Sequence, residues 1–565
     1  MNDRDEPRSF AWIAFAAVVA GAGLRFWVYA RRGSLWLDES SLALNVLARG
    51  FGELADPLDW GQAAPVGFLW TEKALVTLLG SAEWVVRLLP FLAGAATPWL
   101  AWRVGRRAAG SAAGALASVA LAVSLLAIRY SAEAKPYATD ALVTLALVHL
   151  AFAVLEQPHV ARRWVLLGAA GMASVPASLP SAFVLAAIGL ALARDAWRQR
   201  AAIRALAAGS GAAWLGVFGV LWVLGVREAS GTAYLREYWA PVMLDPSAPD
   251  FVARLIRAAA SATATPLQWS GSIGVALAAT GCWLAGVAVV ARRDWRNALL
   301  LGGPLVVAAA ASVAGAYPLS DRLAYFVAPL ALVAVAVPAG ALIVSLQALL
   351  GRAGAAASWL AVAALAAWVG ADGARIVRAP GSLESTHALF ASVKADAGAG
   401  GVPVYVFARA VPAWLYATTV WRAPDRARVA RYVALAGSTS GPAHENLSRN
   451  RAVRVGEGDT LVYRAGTTTE LIGLAPGVRY RIAGPMSAER PSEGWDAVEA
   501  RRIRAAANPS VWLVASHYFD GTPRDELRPL EAAILQQGMM VEERRAERNA
   551  VAIKFVRASP EQARR

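Results

Sequence analysis

Two adjacent acids, Asp38 and Glu39, lie in the segment LWLDESS (35–41), just after the first long apolar run of the chain. A carboxylate beside a hydrophilic substrate can act as a general base and take a proton from an attacking hydroxyl or amine. The alternative is that Asp38 caps the N-terminus of a helix that begins SSLALNVLARG. The two acids need not share a role, so this segment alone leaves catalysis and capping open.

A second polar cluster, RYSAEAKPYATDAL (129–142), separates two apolar runs and contains Glu133, Lys135 and Tyr137. Lysine is rare in this chain and occurs at only four positions, which are Lys73, Lys135, Lys394 and Lys554. A compact ammonium group suits a phosphate as a point charge. The alternative is a connecting loop in which Glu133 and Lys135 form a surface ion pair of little energetic value.

A third cluster, YPLSDRLAYFVAP (317–329), places Arg322 at the start of an apolar helix. An arginine at a helix N-terminus could bind a phosphate with two parallel hydrogen bonds, because the helix end already favours anions. The alternative is that Arg322 extends to lipid headgroups while Ser320 or Asp321 caps the helix.

The composition predicts that the elements which position these clusters are membrane-spanning helices. The chain has 565 residues, of which 57% are hydrophobic and 17% charged, and its mean hydropathy is +0.43. These values exclude an ordinary soluble protein and indicate a polytopic membrane protein. The net charge of +15 comes from short basic clusters between apolar runs. Such clusters orient membrane proteins, so we expect no nucleic-acid partner.

Eleven apolar segments qualify as membrane-spanning helices. They lie at about 10–30, 84–103, 111–128, 138–155, 163–179, 181–194, 205–226, 271–291, 297–316, 323–346 and 354–372. The first is predicted to be a retained helix rather than a signal peptide. Pro176 and Pro180 interrupt the fifth and sixth, which a re-entrant pair would explain nearly as well.

Loop charge predicts a cytoplasmic N-terminus. Each inner loop then carries arginines, such as Arg103, Arg106 and Arg107 in the first, while most acids fall in the outer loops. Two outer loops are long, at about 33–83 and 227–268, and residues 64–80 of the first predict an interfacial helix. All three polar clusters are therefore predicted to lie at the outer ends of helices. Their acids could serve as a base for an acceptor substrate, and their basic groups could bind an anion.

After residue 372 the chain becomes charged and rich in turns, which predicts a soluble α/β domain over 373–565. Residues 402–409 and 510–519 have the pattern of buried strands, 523–538 that of an amphipathic helix, and 540–557 that of a hairpin. His149 and His517 are predicted to be structural. The single Cys282 excludes an intrachain disulfide. No Cys or His cluster has metal-ligand spacing, and no phosphate-binding loop or dinucleotide motif is present.

The clusters together resemble a known family. The acidic pair, the segment with Pro65, the motif E-x-K-P-Y (133–137) and the motif Y-P-x-x-x-R (317–322) are similar to the GT-C glycosyltransferases. The nearest resemblance is to protein O-mannosyltransferases and lipid A aminoarabinose transferases, and it covers roughly residues 1–372. The fold class it implies is a polytopic all-α membrane domain of about eleven transmembrane helices (1–372) followed by the soluble α/β domain.

The resemblance also implies an activity. A sugar would pass from a polyprenyl-phosphate lipid to a glycan, lipid or protein acceptor on the outer side of a bacterial cytoplasmic membrane, at the cell envelope or periplasm. Asp38 would be the catalytic base and Glu39 its catalytic neighbour. The donor phosphate would be bound by Lys135, Arg322 and Arg129, and the substrate pocket would be shaped by Glu133, Tyr137 and Gln62. No cofactor is assigned, and a divalent cation stays an alternative.

The resemblance has one departure near the site. Aminoarabinose transferases have a Lys-Pro-Pro segment where this chain has GQAAPVGFLW (61–70), with one proline and no lysine. The main rival function is a transporter or flippase for a lipid or sugar. Transporters tend to have internal repeats and polar or broken helices at the membrane midplane, and neither is visible in this sequence.

Overall fold

The computed structural model describes most of the chain. The described residues are 8–31, 33–58, 60, 62–223, 239–267, 273–381, 383–407, 410–421, 453–456, 459–461, 474–475, 478–483, 495–507, 509–517 and 527–558. The start of the predicted second outer loop (227–238) and the end of the predicted seventh span (224–226) lie outside them. Where described, residues 8–378 are helices joined by turns and loops.

The first half of the helical region contains eleven α-helices. They are α1 (Arg8–Arg31), α2 (Leu37–Ala48), α3 (Val66–Leu79), α4 (Glu83–Val86), α5 (Leu88–Ala109), α6 (Ser111–Val123), α7 (Leu125–Tyr130), α8 (Tyr137–Glu156), α9 (Ala161–Ala177), α10 (Ser181–Trp197) and α11 (Ala201–Leu221). The predicted interfacial segment is the helix α3, and the two segments divided by Pro176 and Pro180 are the separate helices α9 and α10.

Among its described residues, the second half contains four more α-helices and two short 3₁₀ segments. These are the 3₁₀ turn Ala240–Val242, α12 (Phe251–Thr263), α13 (Ile273–Arg293), α14 (Trp295–Val313), the 3₁₀ segment Asp321–Val327, and α15 (Ala328–Arg378). The last is divided at Gly351, whose backbone leaves the helical region with φ of 51°. Within the described residues, each predicted membrane span overlaps helical structure, although 84–103 is divided between α4 and α5 and 111–128 between α6 and α7.

Seven helices in the described part of the chain are long and apolar enough to cross a membrane. They are Ser9–Arg31, Tyr137–Glu156, Ala201–Leu221, Ile273–Arg293, Trp295–Val313, Asp321–Gly351 and Ala353–Arg378. The helices at the other four predicted spans are shorter or carry several arginines at one end. The chain is thus a multi-pass membrane protein, and the number eleven stays a prediction.

Small residues allow the helices around α6 to pack closely. A Cβ atom added at Gly105 of α5 would lie 2.6 Å from the Cα of Gly114 in α6. One added at Gly340 of α15 would lie 2.8 Å from the backbone nitrogen of Ala113. Because apolar side chains gain little from contact with each other in lipid, close backbone approach is a main source of helix association in membranes. This packing fixes α5 and α15 against α6.

The C-terminal region is a small α/β unit, as the sequence predicts. Its elements are α16 (His387–Gly400), β1 (Val404–Phe407), α17 (Val411–Leu415), β2 (Val453–Gly456), β3 (Asp459–Leu461), β4 (Leu474–Ala475), β5 (Val478–Ala483), α18 (Trp495–Ala506), β6 (Ser510–Ser516), α19 (Leu527–Gln536), β7 (Met539–Glu547) and β8 (Ala550–Arg557). The predicted strands, helix and hairpin correspond to β1, β6, α19 and the pair β7–β8.

Six of the strands form one sheet in the order β4-β5-β1-β6-β8-β7. The central strand β1 is parallel to both β5 and β6, while β8 is antiparallel to β6 and β7. Every residue of β1 and of β6 is buried. That burial matches their continuous apolar sequences, which are typical of strands covered on both faces.

The first long loop and the C-terminal region share one hydrophobic core. Buried residues of α2, α3 and α4, including Leu44, Phe68 and Val85, belong to the same cluster as Phe390, Tyr405 and Trp512. The helices of the membrane region have a separate core centred on α5, α6, α8 and α15. The helix that bears Asp38 is therefore held from the C-terminal side as well as from the membrane side.

Candidate active site

Asp38 lies in the first turn of α2 and points at two cations. The N-cap position of α2 belongs to Trp36, and Asp38 is the second residue of the helix, so the alternative in which Asp38 caps α2 is not what the structure shows. Arg322 Nη1 donates a hydrogen bond of 2.7 Å to Asp38 Oδ2. Lys135 Nζ lies 4.0 Å from the same oxygen. The first, second and third sequence clusters therefore meet at one carboxylate.

The turn before α8 delivers Lys135 to this point. Pro136 follows it directly and is the N-cap of α8, and the Lys135 N–H donates to the Glu133 carbonyl at 2.7 Å. The Lys135 ammonium is buried and donates a hydrogen bond of 2.5 Å to Gln62 Oε1. Gln62 was predicted for the substrate pocket, and the structure places it against a group predicted to bind phosphate.

Arg322 comes from the 3₁₀ segment before α15. Its guanidinium lies 5.8 Å from the ring centre of Trp239, within the range of a cation–π contact. Ser320 occupies the N-cap position of this segment but makes no capping hydrogen bond with its side chain. The structure thus shows an ion pair with Asp38 and no cap from the Ser320 side chain, while contact of Arg322 with lipid headgroups is untested.

Glu39 is fully buried, unlike its neighbour Asp38. Its two carboxylate oxygens accept hydrogen bonds from Arg87 Nε at 2.9 Å and from Arg87 Nη2 at 2.7 Å. Glu39 Oε1 also accepts from the backbone N–H of Ala134 at 2.7 Å, and Glu39 Oε2 from that of Trp36 at 3.3 Å. Glu39 thus joins α2, the start of α5 and the turn that carries Lys135. This geometry supports a positioning role, while the predicted catalytic role is untested.

Arg129, Glu133 and Tyr137 lie around the turn that carries Lys135. Arg129 Nε donates to Glu133 Oε1 at 2.7 Å, and Glu133 is buried while Arg129 keeps a fifth of its side chain exposed. The Tyr137 ring lies 5.0 Å from that of Tyr130 and is buried. Arg129 is therefore near the cluster but bound to Glu133, and its predicted role in phosphate binding stays a prediction.

Charge and burial set the protonation of the central groups. Burial alone would raise the pKa of Asp38, but Lys135, Arg322 and His517 together hold it below its usual value. Burial lowers the pKa of Lys135, although Asp38 opposes the shift. Asp38 is therefore ionised at neutral pH. Among the described residues, no group of three or more His, Cys, Asp or Glu side chains could hold a metal ion.

Comparisons with known proteins agree with the overall architecture of the chain. The family model for dolichyl-phosphate-mannose-protein mannosyltransferase matches residues 63–223. ArnT from Cupriavidus metallidurans in the apo state has a TM-score of 0.51 at 13% identity, over 97% of this chain and 98% of that one. The same protein bound to undecaprenyl phosphate gives 0.51 at 15% identity over the same shares. The chain has the GT-C fold.

Other matches are more distant. The apo oligosaccharyltransferase of Archaeoglobus fulgidus has a TM-score of 0.43 at 12% identity, over 74% of this chain, which spans only 64% of the length of that protein. No curated protein sequence matches the chain. The resemblance to GT-C glycosyltransferases drawn from the sequence is confirmed by the family model and by the ArnT fold.

The structure places further residues beside Asp38 and Glu39 that the sequence did not assign to the site. Arg87, like Arg322, is an arginine at the start of an apolar helix on the predicted outer side, so the sequence pattern that identified Arg322 could also have identified Arg87. Glu384 and His517 come from the C-terminal region, where His517 Nδ1 and Glu384 Oε1 lie 2.8 Å apart. His517 was predicted to be structural, and its charge nevertheless contributes to the pKa of Asp38.

Proposed function

We propose that the protein is a membrane glycosyltransferase that moves a sugar from a polyprenyl-phosphate donor to an acceptor on the outer side of a bacterial cytoplasmic membrane. One observation carries the proposal: the Asp38 carboxylate faces both Arg322 and the buried Lys135 at the ends of apolar helices. A base and an anion site thus adjoin where a lipid phosphate and a hydrophilic acceptor can both reach.

The chemistry follows from this pairing. An acceptor hydroxyl attacks the anomeric carbon of the donor sugar and gives its proton to Asp38. The bond between that carbon and the phosphate oxygen breaks, and its electrons leave with the polyprenyl phosphate. Lys135 and Arg322 stabilise the charge that develops on the leaving phosphate, and such fixed charges act most strongly where water is excluded. Glu39 and Arg87 hold the elements that carry Asp38 and Lys135.

The neighbouring side chains support the rest of the proposed assignments. Gln62, Glu133 and Tyr137 line the surroundings of Lys135 and would contact the donor or acceptor, with Arg129 near the phosphate. The acceptor is a glycan, a lipid or a protein. The N-terminus would be cytoplasmic and the C-terminal α/β region (373–565) extracytoplasmic, facing the periplasm or cell envelope.

The variant Asp38→Asn tests the proposal, because it keeps the size of the side chain and removes the base. General-base catalysis contributes about 10²–10⁴-fold to a rate. We expect kcat to fall by roughly that factor while the protein is made and folds normally. Purified protein in nanodiscs would be incubated with a panel of polyprenyl-phosphate sugars and bacterial membranes, and mass spectrometry would measure the products.

Two results would contradict this assignment. Transfer at the original rate by Asp38→Asn would exclude Asp38 as the base. Movement of labelled lipid across the bilayer with no covalent product would support the transporter or flippase alternative and overturn the proposed activity.

A further inference from the structure

The N-cap residue of the helix that bears Asp38 is Trp36, whose side chain makes no capping hydrogen bond, while Glu39 of the same helix accepts from the Trp36 N–H. The first backbone N–H groups of a helix have no partner within the helix and need an acceptor from elsewhere. In α2 the N–H of Leu37 donates to Glu384 Oε1 at 3.4 Å. A carboxylate from the C-terminal region thus takes the place of the missing cap.

His517 fixes this carboxylate in place. Its Nδ1 lies 2.8 Å from Glu384 Oε1, the same oxygen that accepts from Leu37. The His517 ring also lies over the indole of Trp36, with ring centres 6.1 Å apart and planes 26° apart. Glu384 is buried, while about a quarter of the His517 side chain is exposed. The pair therefore contacts the helix through both the backbone of Leu37 and the ring of Trp36.

The backbone next to Glu384 and at His517 forms hydrogen bonds with residues on either side of the pair. The N–H groups of Thr386 and His387 donate to Ser34 Oγ at 3.1 and 3.0 Å. Two backbone carbonyls in the turn between β7 and β8 accept further hydrogen bonds. The Arg548 carbonyl accepts from the N–H of Ser385, and the Asn549 carbonyl accepts from the N–H of His517. Backbone hydrogen bonds to Ser34 and to the β7–β8 turn thus fix the chain next to Glu384 and at His517.

We propose that Glu384 and His517 form a positioning pair through which the C-terminal region holds the first turn of α2, and with it Asp38, against Lys135 and Arg322. This inference rests on the proposed function, because it assumes that Asp38 does the chemistry. It gives the C-terminal α/β region a definite task in the reaction without contact with substrate. It also explains why the core of that region extends into α2, α3 and α4.

Kinetics of two variants test the pairing. Glu384→Ala removes the acceptor for Leu37, so we expect kcat to fall at least ten-fold with the donor KM changed less than three-fold. Glu384→Gln keeps an oxygen that can accept from Leu37 and should restore most of kcat. The matched control is Glu531→Ala, because Glu531 pairs with Arg544 on the surface of the same region, away from α2. Equal kcat for Glu384→Ala and wild type would overturn the inference.

A pH profile separates positioning from simple structural support. Among the described residues, the charged or titratable groups that act on Asp38 include Lys135, Arg322, His517, Glu384 and Tyr137. His517 lowers the pKa of Asp38, so His517→Gln should move the acid limb of kcat/KM to higher pH. An unmoved acid limb would contradict the role of His517.

Hydrogen–deuterium exchange provides a readout that needs no activity. Peptides that cover residues 34–41 should exchange faster in Glu384→Ala than in wild type, in full-length protein in nanodiscs, and Glu531→Ala should leave them unchanged. Unchanged exchange in Glu384→Ala overturns the inference whatever the substrate proves to be. Faster exchange together with normal transfer by Asp38→Asn would instead support the cap and overturn the proposed base.

Discussion

At the scale of single residues, the two neighbouring acids of the site differ in burial and in their partners. Asp38 keeps 18% of its side chain exposed, whereas Glu39 is completely buried in a bidentate pair with Arg87. Breaking a buried pair by removing one partner leaves an uncompensated charge and is strongly destabilising. Variants of Glu39 would therefore lose structure and activity together, whereas Asp38→Asn keeps the size of a partly exposed side chain and one oxygen that can accept from Arg322.

Lys135 gives the residue-scale prediction. A hydrogen bond to a charged group contributes about 1.5–3 kcal/mol, and each 1.4 kcal/mol is a factor of ten in affinity. We expect Lys135→Met to raise the donor KM roughly 10- to 100-fold, because it removes a cation beside the leaving phosphate. Titration of the purified variant with polyprenyl-phosphate sugar would measure this.

The control for this prediction is Lys554→Met, which removes a lysine that pairs with Glu542 in the C-terminal sheet. Its KM should match that of the wild type. Because Lys135 also faces the charge that develops on the leaving phosphate, kcat should fall as well, and a Lys135→Met variant with unchanged KM and unchanged kcat would exclude Lys135 from the donor site.

The extent to which the site was predictable also follows from particular residues. Asp38, Lys135 and Arg322 were found because each is a charge at an apolar helix end, which is visible in the sequence. Their meeting point was not, because Arg322 and Asp38 are 284 residues apart. The Glu384 cap was also missed, since a carboxylate that caps a helix 347 residues away leaves no local pattern.

At the scale of elements, the helix α3, which the sequence predicts to be interfacial, contains an unusual buried acid. Glu72 is 2% exposed, and neither of its carboxylate oxygens has a hydrogen-bond partner among the described residues. Burial raises its pKa well above the usual value. The amphipathic pattern predicted this helix correctly. It could not reveal Glu72, because an acid on an interfacial helix normally faces water.

Glu72 therefore makes stability depend on pH. An acid whose pKa is raised in the folded state binds its proton more tightly there than in the unfolded chain. Below the unfolded pKa of about 4.3, Glu72 is protonated in both states and does not destabilise the fold. As pH rises toward the pKa of Glu72 in the folded state, the free energy of unfolding falls, because the unfolded chain loses the proton first. We expect Glu72→Gln to raise the melting temperature at pH 8 and to reduce its decline between pH 5 and 8, as measured by scanning fluorimetry in detergent.

The control for Glu72 is Glu531→Gln, which changes a surface ion pair in the same way and should leave the pH slope unchanged. A lower melting temperature for Glu72→Gln at every pH would mean that the carboxylate is stabilised in its charged form.

At the scale of the whole molecule, the architecture followed from composition, while the relation of its two parts did not. Apolar runs identified the helices of the GT-C fold, continuous apolar segments identified the buried strands β1 and β6, and an amphipathic pattern identified α19. The sequence divided the chain at residue 372. The structure instead packs the first long loop into the core of the C-terminal region. No periodicity within one segment can report which distant segment will cover it.

Orientation in the membrane is the last prediction, and the chain is well suited to test it because Cys282 is its only cysteine. In a Cys282→Ser background, single cysteines would replace the exposed residues Asp56, Glu547 and Arg198. The positive-inside rule places the loop with Arg198 in the cytoplasm and the other two sites outside. A membrane-impermeant maleimide should label Asp56→Cys and Glu547→Cys in intact spheroplasts, and Arg198→Cys only after permeabilisation. Labelling of Arg198→Cys before permeabilisation would invert the topology and place Asp38 on the cytoplasmic side, where the donor lipid would have to be used before it crosses the membrane.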